Sequence, residues 1–84
     1  MITHKQLIKH NFVTADAVDK APMYLHGKVN GVLCGGVFHF PMVGEWYQAK
    51  NINHLKHNYF KATGERLEAM EDNKFAIISG LTNL

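Results

Sequence analysis

The residues best placed to do chemistry lie between Lys50 and Leu67, in the stretch KNINHLKHNYFKATGERL. Lys50, His54, His57 and Lys61 recur at i, i+4, i+7 and i+11. At about 100° per residue they project within roughly 60° of one another on a helix. Lysines and part-protonated histidines along one edge grip phosphates, and Trp46 or Tyr59 would add a stacking surface. The plainer reading of the stripe is a solvated helix face. Trp46 and Tyr47 stand next to each other, so an alternating strand turns one of them away from the core. An exposed aromatic beside a basic helix makes a hot spot for a protein partner, unless both rings simply close the edges of a small core.

Other chemistries find less support. His54 and His57 are three apart and meet on a helix surface, but structural zinc takes four ligands. His4, His10, His26 and His39 fall on other elements, so no metal and no other cofactor is expected. Cys34 with His26 or His39 is the one conceivable nucleophile–base pair. It lacks a third, orienting group, and a free cysteine in an apolar strand is normally a small buried hydrophobe. Glu65, Glu68, Glu71 and Asp72 form an acidic patch directly after the basic stretch. As exposed carboxylates they give the chain opposite poles, which favour a charged protein partner or head-to-tail self-association and would repel phosphate. No catalytic centre is expected.

Composition narrows the classes further. Eighty-four residues suit one domain, spanning 1–84, and a homodimer or higher homo-oligomer would relieve the shortage of core. The formal charge of +2 and a pI near 8.8 permit nucleic-acid binding without demanding it. Arg66 is the single arginine, and lysine is the poorer fork for bidentate recognition, so sequence-specific DNA reading is not expected. The single cysteine, Cys34, excludes an internal disulfide and fits a reducing compartment. With neither a charged-then-apolar leader nor eighteen consecutive apolar residues, the expectation is a cytoplasmic chain without a membrane partner.

The elements that would position these residues read as α+β: a short N-terminal helix, an antiparallel meander of three to five strands, and one main helix packed on the sheet. Thr3 and Gln6 form a capping box and Ile2 and Leu7 a hydrophobic staple, which predicts a helix from about His4 to His10 ending at a left-handed Asn11. Residues 14–21 read as a loop with room for one helical turn, ended by Pro22. From Met23 to Lys50 the pattern predicts three strands. Asn30-Gly31 makes the first hairpin turn, Gly35-Gly36 a bulge or competing turn, and Pro41 stops the second strand. Phe38 and Phe40 share one face and His39 takes the other. In the main helix Asn51 or Asn53 caps the start, Gly64 sits at C′, and Ile52, Leu55, Tyr59 and Ala62 cover the sheet. Residues 65–71 fit either a strand or a short helix, Asp72-Asn73 a turn, Lys74–Ser79 a buried strand, and LTNL a loose tail.

In layout, the opening ITHKQLIKHNF, the strand-rich middle and NHLKHNYFKATGERL together resemble small phage-encoded accessory proteins that counter host or defence factors. The likeness is one of arrangement across nearly the whole chain. It implies a non-enzymatic protein, working in the host cytoplasm, that occupies a partner. The partner would be a host or defence protein or, in the alternative, RNA of an RNA-dependent defence or toxin–antitoxin system. Contact would run through Lys50, His54, His57, Lys61, Trp46 and Tyr47.

Overall fold

The computed structural model describes residues 1–18 and 21–82. A short helix, α1 (His4–Lys9), opens the chain. Five strands follow: β1 (Val13–Val18), β2 (Ala21–His26), β3 (Val29–Cys34), β4 (Val37–Met42) and β5 (Glu45–Ala49). Two helices, α2 (Ile52–Thr63) and α3 (Asp72–Thr82), complete the chain. The strands make one antiparallel sheet in the order β1-β2-β3-β4-β5, with α2 packed across one face, so the architecture is α+β.

Local chemistry explains the first helix. The Gln6 N–H donates to the Thr3 hydroxyl (3.2 Å), and the Thr3 N–H donates to the Gln6 side-chain oxygen (3.0 Å). Both orphan amides of the first turn are thereby satisfied. Ile2 and Leu7 close the staple as buried residues, and Asn11 takes the left-handed backbone (φ 70°) that ends the element.

The strands depart from expectation in three places. Residues 13–18 are strand, where a loop was expected over 14–21: Val13, Thr14 and Ala15 pair with Leu25, Tyr24 and Met23, so a partner strand supplies the ladder that local propensity does not. Residues 19 and 20 of the expected loop lie outside the described residues. The β2–β3 hairpin turns at Gly27-Lys28, and Asn30-Gly31, expected as its turn, lies inside β3. Positive φ at Gly27 (57°), without it at Lys28, matches a turn that needs glycine only at its first central position. Gly31 is required for packing instead: a Cβ there would lie 2.5 Å from the Phe38 ring and 2.6 Å from the His39 carbonyl oxygen. The third departure is Pro41, which lies within β4 opposite Trp46 and does not stop the strand. It stands beyond the last β3–β4 pair, Val32 with His39, so its missing N–H interrupts no ladder there. Four strands therefore occupy residues 21–49, not three. Gly35-Gly36 is a true turn, with both residues at positive φ. Val43-Gly44 turns in the same way and forces a β-branched residue to φ 50°.

Alternation gives the sheet two different faces. Tyr24, Phe38, Phe40 and Ala49 point to the helix side and join Ile2, Leu7, Phe12, Val29, Leu55, Tyr59 and Leu67 in the core. Phe38 meets Phe12 and Tyr24 edge-on, at 5.2 and 6.2 Å between centroids. His39 takes the other side, as the alternation requires.

After α2 the chain runs as an irregular strap over residues 66–71, neither strand nor helix. Its backbone is satisfied by the N-terminal region: the Met70 N–H donates to the Lys9 carbonyl (2.7 Å) and the Asn11 amide to the Glu68 carbonyl (2.8 Å). Residues 74–79, expected as a buried strand beyond an Asp72-Asn73 turn, belong to α3. A short apolar run fits either period, and this one has no strand partner. Lys9 pairs with Asp72 (3.2 Å) and lies 5.7 Å above the Phe75 ring. Of the expected loose tail, Leu81 and Thr82 extend α3, and residues 83 and 84 lie outside the described residues.

Candidate functional site

The site is built on α2. Asn51, extended at φ −154°, accepts the His54 N–H on its side chain (2.8 Å) and starts the helix. Gly64 ends it in the left-handed region (φ 77°), with its N–H on the Phe60 carbonyl (2.8 Å). Leu55 and Tyr59 are buried and Ile52 and Ala62 partly buried, the face expected from the 3.6-residue period. Asn58 is buried as well. Its amide donates to the Gln48 carbonyl on β5 (3.0 Å), so a polar residue on the inner face ties helix to sheet.

The remaining faces are open to solvent. His54, His57 and Lys61 are all exposed and lie along one side of α2, as the spacing predicts. Lys50 is not on the helix. It precedes the N-cap, and its backbone N–H makes a long contact (3.4 Å) to His54 Nδ1. Extrapolating helical geometry through position 50 fails because the extended Asn51 breaks the helix there. The structure adds Lys56, Phe60 and Arg66, which the stripe omitted. Lys56, His57 and Phe60 face Arg66 and residues 67–69 of the strap across an open groove of about 620 Å³. Phe60 is 53% exposed, an unusual place for a large aromatic ring. An aromatic far off the buried stripe was the available signal for it. Arg66 carried none, because only the tertiary course of the strap brings it to α2.

Basic side chains predominate at this face. The one ion pair among the described residues joins Lys9 and Asp72, which leaves Lys56, Lys61 and Arg66 without a carboxylate. Glu68 lines the same groove, so the surface is mixed. Lys9 and Lys56 also bear on His10. Burial chiefly lowers its pKa, the two lysines lower it further, and a hydrogen bond to the Gln6 carbonyl (2.7 Å) opposes them.

The two candidate aromatics separate. Tyr47 is half-buried on the helix side, stacked on Phe40 at 5.1 Å and 12°. Burial raises its phenol pKa, followed by the hydrogen bond to Glu45 and that residue's charge. Trp46 is 69% exposed and stands on the opposite face of the sheet, beside His39 and Pro41. It cannot share a contact surface with α2.

Of the residues weighed for nucleophilic chemistry, Cys34 is exposed, not buried; His39 shares its sheet face, while His26 points to the other face, where it shares a hydrogen bond with the Tyr59 hydroxyl (2.9 Å). Among the described residues no three His, Cys, Asp or Glu side chains converge as a metal site, and no helix is long and apolar enough to cross a membrane.

Fold and site together define a small α+β domain with one helix-covered and one bare sheet face. No protein-family model, curated protein or solved structure matches the chain significantly.

Proposed function

We propose that this chain is a non-enzymatic binding protein of the kind phages encode to counter host or defence factors. It acts through the exposed face of α2 on an acidic surface of a protein. The observation that carries this reading is the exposed Phe60 ring, set in a groove among the unpaired cations Lys56 and Arg66. An aromatic anchor surrounded by charge is the usual make-up of a protein hot spot. Lys61 extends the same positive surface along the helix, with the exposed His54 and His57 beside it.

RNA is the second reading, since cations beside an aromatic ring also suit a single strand. Glu68 in the groove and Glu65 next to it oppose phosphate and favour the protein partner. The test immobilises the full chain and measures retention of host proteins and of generic single-stranded RNA at low and high salt. The wild type is expected to retain a discrete host protein in both salts, and Phe60→Ala and Lys56→Glu to lose it. Retention unaffected by both substitutions overturns the assignment to α2. RNA binding that collapses with added salt, with no protein retained, favours the second reading.

A further inference from the structure

The sheet face turned away from α2 is bare. Val13, at 59% exposed, marks one edge of it and Trp46 the other, with Met23, Val32 and Pro41 between them. An antiparallel sheet can leave one face in water, but such a face normally alternates to polar residues. Here Glu45 is the only Asp, Glu, Lys or Arg in β2 to β5. Its pairing with Met42 puts it on the helix side. Across these four strands the bare face therefore carries apolar side chains together with Asn30, His39 and Gln48, and no Asp, Glu, Lys or Arg.

We propose that this face is a two-fold interface with a second copy of the chain. Three observations select that occupant. First, a two-fold contact sets each patch against itself, so a charged face would repel its copy. Across β2 to β5 this face carries no Asp, Glu, Lys or Arg and meets no such penalty, whereas an acidic or basic partner would find nothing on those strands to pair with. Second, one surface holds both a projection and a recess. Trp46 stands out beside a groove of about 220 Å³, walled by Met23, Val32, His39 and Pro41. An isologous contact needs such self-complementarity, and it seats the Trp46 ring of each copy in the groove of the other. Third, the area suffices. Five strands spaced about 4.8 Å apart and about 20 Å long present on the order of 500 Å². Two copies then bury on the order of 1,000 Å², the lower bound for a specific interface. Sheet on sheet at about 10 Å makes a ten-stranded sandwich with α2 on each outer surface. The face that binds a partner through Phe60 stays free in that arrangement, so the two contacts are separate and fail separately.

Sedimentation equilibrium of the full chain, between about 1 and 200 μM, tests the proposal in the range where modest interfaces associate. The wild type is expected at twice the 9.5 kDa chain mass. Trp46→Lys and Val32→Lys are each expected to return it to 9.5 kDa with an unchanged far-UV circular dichroism spectrum. Phe60→Lys, on α2, is expected to remain dimeric. The single tryptophan gives a reading that needs no variant: its emission shifts to the blue over the concentrations at which the mass doubles. A wild type monomeric throughout overturns the proposal. So does a dimer that survives both outer-face substitutions, or one that forms with no change in tryptophan emission.

Discussion

The Tyr59 hydroxyl on α2 and Nδ1 of His26, at the end of β2, share a hydrogen bond of 2.9 Å. One residue earlier on the same helix, the Asn58 amide reaches the Gln48 carbonyl of β5 at 3.0 Å. These two tethers come from consecutive residues and reach strands three places apart in the sheet, so they fix the rotation of α2 about its own axis. That rotation decides which side chains are left for solvent.

Removing either tether leaves a partly buried polar atom unpaired. Tyr59→Phe is expected to cost about 1 kcal/mol and Asn58→Ala about 1–2 kcal/mol in urea unfolding. Because Asn58→Ala removes the whole side chain as well as the donor, whereas Tyr59→Phe keeps the buried ring, the loss at Asn58 is expected to be the larger. The reverse order would show that the β5 tether is water-mediated in solution.

Gly31 is expected to be the least replaceable of the turn and strand glycines. A methyl group there meets the Phe38 ring and the His39 backbone. Gly31→Ala should cost about 2–3 kcal/mol through displaced core packing. Gly35→Ala meets nothing nearby and should cost about 1 kcal/mol, from its left-handed backbone alone. Thermal melts of the two variants check the ranking.

Val43 offers the opposite opportunity. Its side chain is 87% exposed and contributes little burial, yet its φ of 50° is unfavourable for a β-branched residue. Val43→Asn or Val43→Gly is expected to stabilise the protein by about 1 kcal/mol, a rise of about 4–8 °C in Tm. An unchanged or lower Tm contradicts the strain argument.

His10 sets a pH dependence. The unfolded chain takes up a proton at this residue near pH 6.5, while burial delays uptake in the folded chain. Below that pH the unfolded state therefore binds more protons, and stability falls as pH drops through the lowered folded value. Urea unfolding at about pH 7.5 and about pH 5 should show the loss, and His10→Gln should reduce it. An equal pH dependence in the variant would assign the effect to other groups.

Much of the fold was legible in the chain because the signals are local. The Thr3–Gln6 box, the Asn51 cap and the Gly64 terminus each involve residues within one turn of each other. The split of Phe38 and Phe40 from His39, and of Trp46 from Tyr47, follows from strand alternation. The exposed row of His54, His57 and Lys61 follows from helical spacing.

What tertiary structure decided was everything set by residues distant in sequence. Asn30-Gly31 is locally the better turn, but pairing Gly31 with Tyr24 beneath the Phe38 ring holds it in β3 and moves the turn to Gly27-Lys28. Residues 74–79 satisfy a strand pattern, but they form a helix with no strand partner, and Lys9 of α1 reaches that helix at Asp72 and Phe75. The groove around Phe60 exists only because Lys9 and Asn11 hold the strap that carries Arg66 beside α2. Periodicity chose the faces of each element, and long-range packing chose which of those faces meet.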